Sequence, residues 1–429
     1  MRFRAAIAAS VIGLVATTAV VSTGQRGGAF RASRDHPAIG YSTGSVNNVI
    51  SRLNQQLQDG VVQLDYRGRS GYLRSVLDTL EISVASQVAV FSQTSFQARR
   101  INSKNPRAIY FTDNAAVAWV RGGDILEVAA HDRQQGVVFY TLGQTPTDTP
   151  QFTRNDGCLA CHLSWDTLAV PGLQVLSVAP LSSDPTVYAS GYVSDHRSPL
   201  EQRWGGWYVT GQPGPVSHMG NVEVTDVDDP QTTRGAPVPQ LASLTSRFDV
   251  DGYLSPYSDV VALMVLEHQA HMTNLITRLG WEARRVMFRE AADPAVFDQL
   301  IAEAAAEVVD YLLFVDEAPL RVPVTGSSGF AGQFSGRGPR DRRDRSLREF
   351  DLEDRLFRYP CSYMIYTEAF DALPAIAKDA VYERMWDVLS GRDVDPPYTR
   401  LTLADRRAIV EILRDTKPDL PTYYQPVTR

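Results

Sequence analysis

Cysteine is scarce in this chain, three residues in 429, which is too few for a disulfide framework. Positive charge is not in excess either: 42 Lys and Arg against 49 Asp and Glu give a formal charge of −7. An acidic balance of this kind argues against nucleic acid or anionic lipid as a partner. No internal repeat is present. Long apolar runs are also missing after the first two dozen residues. The one such run, Ala5 to Val21, carries no charge, follows the basic head Met1-Arg2-Phe3-Arg4 and precedes the small residues Ser22-Thr23-Gly24. That order is the pattern of a secretory signal, so residues 1–24 read as a signal peptide cleaved before Gln25. The run is somewhat short for a comfortable span, which favours cleavage over a retained anchor. Membrane association is expected only if the anchor stays. Arg2 and Arg4 are not adjacent, so a twin-arginine signal is not indicated.

Two of the three cysteines fall in Cys158-Leu159-Ala160-Cys161-His162. Thiols at this spacing can add to the two vinyl groups of one haem, and the histidine that follows is then held beneath the iron. Such a match is improbable by composition in a chain with 3 Cys and 7 His. A structural zinc site needs four closed ligands, and no second Cys/His knuckle accompanies this one. A thioredoxin-like pair wants a strand-to-helix setting, whereas the polar run Thr153–Gly157 precedes these cysteines. A Cys158–Cys161 disulfide is the remaining alternative. The expected cofactor is a single covalent haem c. Attachment of this type takes place outside the cytoplasmic membrane, so the motif and the signal point to the same periplasmic location. Cys361 lies in the apolar, aromatic run Phe357–Tyr366 and reads as a buried, inert thiol.

A proximal histidine usually donates its second ring nitrogen to a carbonyl. The turn Val170-Pro171-Gly172 can supply one a short step downstream. Haem propionates want Arg, Trp or Tyr donors, and Arg203, Trp204 and Trp207 form the best local cluster. For the sixth ligand the spacing suggests Met219; His218 beside it, His268 or His271, or no ligand at all are the alternatives. Met264, His268, His271 and Met272 share one face of a predicted helix, next to Glu267 and Gln269. Glu267 and His268 are the candidate catalytic acid/base pair if the protein acts on peroxide.

The expected fold class is α+β, with a cytochrome c-like haem-binding region between a β-rich N-terminal part and a mainly helical C-terminal part. After the signal, residues 25–45 read as a linker and 46–150 as helix plus β-meander. Residues 151–229 carry the haem region, and 230–429 are mainly helical with a Gly/Arg-rich loop at 321–346. Val46–Leu57 and Tyr72–Leu80 are weakly helical. Ala108–Phe111, Ala116–Val120, Ile125–Ala129 and Val137–Leu142 are β-rich runs separated by turn residues. Ser258–Arg278, Ala295–Phe314, Ala369–Leu389 and Leu403–Leu413 have helical spacing, the last with Thr402 as its cap. Arg321–Gly338 reads as a Gly/Ser loop, and the dense alternating charges of Arg337–Arg358 as a solvated face.

Four segments, Asn155–Pro171, Arg203–Gly211 with His218–Asn221, Leu266–Arg278 and Arg358–Pro374, resemble a group of large single-haem bacterial proteins known as cytochrome c domain-containing proteins. The resemblance runs from about Arg107 to the C-terminus. It implies haem at Cys158, Cys161 and His162 and a bacterial exported location; it implies no substrate. The expected function is electron transfer or redox chemistry with a partner protein or a small oxidant. A peroxidase-like haem enzyme and a non-catalytic redox or gas sensor are the alternatives. About 250 residues beyond a haem shell of domain size ask for a pocket, a docking surface or a scaffold role.

Overall fold

The computed structural model describes residues 33–178, 191–213, 217–223, 240–288 and 294–427. The expected signal at 1–24 lies outside them. Helix α1, Val49–Gln58, begins at Asn48, whose side chain accepts from Ile50 and Ser51 N–H while the Ser51 side chain takes the Asn48 N–H. This reciprocal cap satisfies backbone donors that the first turn leaves open. Helix α2, Leu73–Thr79, follows.

The expected meander is present as β2 Arg107–Phe111, β3 Ala115–Trp119, β4 Ile125–Asp132 and β5 Gly136–Gly143. Sequence periodicity missed the short strands β1 Val88–Val90, β6 Phe152–Arg154 and β9 Trp207–Tyr208, which complete a seven-stranded antiparallel sheet in the order β6-β5-β4-β3-β2-β1-β9. Between β6 and β9 lie a one-turn helix α3, Leu159–His162, and a separate two-stranded ladder of β7 Leu176–Ser177 and β8 Tyr192–Val193. Alternation sorts the strands by face. Ala108, Tyr110, Val117 and Val128 turn toward α1 and α2 in one core, while Val88, Phe111 and Trp207 join the helical half in a second.

The helical half is built on α4, Val260–Phe288, ten residues longer at its C-terminus than its periodicity suggests and buried along most of its circumference. Asp259 caps it, its Oδ1 accepting from Val261 and Ala262 N–H. Then come α5 Pro294–Leu312, the short α6 Phe330–Ser335 inside the expected Gly/Ser loop, α7 Glu368–Asp371, α8 Ala375–Ser390 and α9 Leu403–Thr416. The single helix expected over Ala369–Leu389 is two, because Pro374 directly precedes α8 and cannot continue a helix from before it. Thr402 caps α9 as expected.

Two expectations are corrected. The described part of the supposed linker, residues 33–45, packs into the core: Ile39 and Tyr41 are fully buried, and the Tyr41 hydroxyl donates to Val137 O. The charged run Arg337–Arg358 is not a plain solvated face. Arg348 is buried, paired with Asp113 and placed over the rings of Phe334 and Tyr363, so its charge is neutralised and its plane stacked. The regions are also joined: β9 closes the N-terminal sheet, and Gln87 Nε2 donates to Ser255 and Tyr257 carbonyls. The segment Cys158–His162 is entered from a strand and a tight turn, without the preceding helix expected of a cytochrome c-like region. Among the described residues no helix is long and apolar enough to cross a membrane.

Candidate cofactor site

Chain leaving β6 turns at Asn155, whose Oδ1 accepts the Gly157 N–H at 3.0 Å. Leu159 anchors the α3 turn in the core; Cys158 is half-buried and Cys161 exposed, and the two thiols are not bonded to each other. The His162 ring lies against Phe139 of β5, centroids 4.7 Å apart, and its Nδ1 is 2.9 Å from Gly172 O. A carbonyl can only accept, so Nδ1 carries the proton and Nε2 keeps its lone pair, the form in which imidazole binds a metal. Burial also holds the His162 ring below the usual histidine range, which favours the neutral ring. Burial pushes the Cys158 thiol up to about 11, the opposite of the lowered thiol of a redox pair. Among the described residues no group of three or more His, Cys, Asp or Glu could by itself hold a metal ion. Cys361 is fully buried and its thiol is raised to about 12, as expected for an inert residue.

The carbonyl that orients His162 belongs to a strap fixed at nearly every residue. Gly172 N–H donates back to His162 O, Val137 N–H to Pro171 O, and the Thr167 hydroxyl to Val170 O. Asn274 of α4 grips Leu173 at both ends, accepting its N–H at 2.9 Å and donating to its carbonyl at 2.7 Å. A Cβ on Gly172 would collide with that Asn274 side chain, which is why glycine stands there. Further on, Ser194 N–H donates to Val175 O and Trp207 Nε1 to Leu176 O.

The remaining candidates are placed elsewhere. Arg203, expected at a propionate, points into the interior: its nitrogens donate to Ser198 O, His196 O and Glu267, and it is 2% exposed. Trp207 is buried with its indole N–H committed to Leu176 O, and Trp204 is buried against the edge of His218. Met219 is half-buried near β7, its N–H donating to Arg203 O and its sulfur accepting from Ser177. Strand β7 lies outside the seven-stranded sheet on whose β5 the His162 ring rests. Glu267 and His268 are both fully buried. Glu267 accepts from Ser194 at 2.6 Å and pairs with Arg203 at 3.2 Å. His268 Nδ1 meets His196 Nδ1 at 2.8 Å, its Nε2 meets Ser362 at 2.7 Å, and its ring stacks on Phe314. Met264 and Met272 are core. His271 faces Asp195 and Arg197. The helix face rich in His and Met is therefore a packed polar seam within the protein. Sequence reasoning missed Asn274, Phe139, Ser194 and His196. The polar run Ser194-Asp195-His196-Arg197 was the one visible signal.

Buried histidines set an acid limit on stability. Burial lowers His268 to about 3 and His131, His218 and His271 to about 4, and it lowers His196 as well. The unfolded chain takes up these protons near pH 6.5, so the stabilisation is complete above that pH. It is lost as pH falls from 6.5 toward 3–4, by up to about 1.4 kcal/mol per pH unit for each such histidine. Glu317, raised by burial to about 7, acts in the opposite sense, as does Glu267, also raised by burial; the histidines outnumber them. Urea midpoints are expected to fall between pH 7 and pH 5, and His268→Phe to flatten that slope. A midpoint independent of pH over this interval contradicts the assignment.

No protein-family model matches this chain, and neither a curated protein nor a solved structure does.

Proposed function

We propose that this chain is an exported c-type haem protein that passes single electrons to and from a redox partner. The observation that carries the reading is the His162 ring: fixed by Gly172 O at 2.9 Å, it holds Nε2 free on the turn that also bears Cys158 and Cys161. The residues present fit the group. Cys158 and Cys161 would add their thiols to the two vinyl positions, and His162 Nε2 would ligate the iron. Bound haem supplies a one-electron couple whose potential depends on axial ligation, hydrogen bonding and burial. The chain's own part is to fix the imidazole through the strap from Val170 to Ser177, with Asn274 as its clamp, and so to keep reorganisation small. Membership of the single-haem cytochrome c domain-containing group, and a periplasmic location through the signal at 1–24, belong to the same reading.

Peroxide chemistry has less behind it. Its acid/base pair, Glu267 and His268, is sealed in the interior and engaged by Arg203, Ser194, His196 and Ser362. The test is the absorption spectrum of the mature protein, oxidised and reduced, after production with a haem-attachment system. Sharp reduced bands that disappear and return over a redox cycle, with negligible peroxide turnover, are expected. A colourless protein overturns the proposal, and rapid peroxide turnover replaces electron transfer with the enzyme alternative.

A further inference from the structure

We infer that the half-open end of one face of the large sheet is the bed on which haem lies. The inference rests on the reading above and says which surface of this chain meets the macrocycle. The antiparallel register pairs Ile109 with Ala118, Ala118 with Glu127, Ala116 with Ala129, and Ala129 with Phe139. Paired residues project to the same side. One end of this face is closed by α4, through Gln269 to Thr112 O and Thr277 to His131. At the other end Arg107, Ile109, Ala116 and Glu127 are only half-buried, Ala118 and Ala129 are 8% and 9% exposed, and the opposite face of the same strands is sealed.

Three alanines side by side on a sheet are a poor choice for strand packing, where branched and aromatic side chains are favoured. They are a good choice beneath a flat ring, because they leave a shallow level floor. The motif stands at its edge. His162 rests on Phe139, the register neighbour of Ala129. Phe96, 59% exposed, reaches within 3.2 Å of where a Cβ on Gly157 would stand, adding apolar surface beside the attachment turn.

Arg107 completes the site. It pairs with Glu127 through one terminal nitrogen at 3.0 Å, but its buried Nε has no hydrogen-bond partner. A buried donor left unsatisfied is costly, and a propionate oxygen is the acceptor that a haem on this floor would bring. Arg107 thus takes the role that the sequence suggested for Arg203.

The test uses the holoprotein with methyl-labelled alanine, compared by NMR in the ferric and ferrous states. The Ala116, Ala118 and Ala129 methyls should shift or broaden with oxidation state, whereas Ala305 and Ala377, buried in the helical half, should not. Arg107→Gln should keep haem on the denatured chain, since the thioether links do not depend on it, yet lower the midpoint potential by removing a cation from beside the iron. If covalent haem is present but the three methyls stay as silent as Ala305, or Arg107→Gln leaves the potential unchanged, the bed is overturned and the haem reading survives. A wild-type chain that carries no covalent haem overturns both.

Discussion

Cys158→Ala and Cys161→Ala are expected to release haem from the denatured chain, in full for the double variant and in large part for each single one. The unaltered protein should keep its haem through a denaturing gel. The expectation rests on covalency: a thioether survives the loss of every packing contact and hydrogen bond, whereas an iron–imidazole bond alone does not outlast unfolding. His162→Ala provides the complementary case. It leaves both thiols, so haem should remain attached, but the ring fixed by Gly172 O is gone and the spectrum of the folded protein should change. Haem-stained gels read beside spectra separate the two effects. Haem that leaves the wild-type chain on denaturation, after maturation in a competent host, is incompatible with the site.

The second large effect is on stability. Arg203 and Glu267 form an ion pair at 2% and 0% exposure. Removing one partner leaves the other charge in a medium that cannot solvate it, which typically costs about 3–5 kcal/mol. That is a large share of the roughly 5–15 kcal/mol by which a typical protein is stable. Glu267→Leu and Arg203→Met should each lower the urea midpoint strongly. The double variant should recover much of the loss, since both charges leave together. Recovery will be incomplete, because Arg203 also satisfies the His196 and Ser198 carbonyls and Glu267 the Ser194 hydroxyl. Single variants that lose less than about 1 kcal/mol would mean that water reaches the pair, since exposed pairs contribute no more than that.

Local features were legible in the amino-acid sequence for a physical reason: their partners are close along the chain. The Cys158–His162 motif occupies five consecutive residues, and the carbonyl that orients His162 comes from ten residues further on. The meander could be read because each strand pairs with its sequence neighbour across a short turn. Thr402 could be read as a cap because its partner, Asp405, is one turn away. Helical spacing correctly placed Glu267, His268 and His271 on α4 and marked that face as unusual.

What those residues face was decided only in three dimensions. Periodicity reports that a side chain is turned inward, not what it meets there. Glu267 meets Arg203 across 64 residues and Asn274 grips Leu173 across 101. Strand β9 joins the sheet through β1 far upstream, and Ile39 and Tyr41 enter the core from a segment whose composition resembles a linker. Composition and spacing carry no term for such long-range pairings, which form because burying one polar group requires a specific partner from elsewhere in the chain. The sequence by itself determined that two thiols and an imidazole stand together at Cys158, Cys161 and His162. The tertiary structure decided that Arg203, Glu267 and His268 belong to the interior, and that Ala116, Ala118, Ala129 and the unsatisfied Arg107 Nε share one face of the sheet.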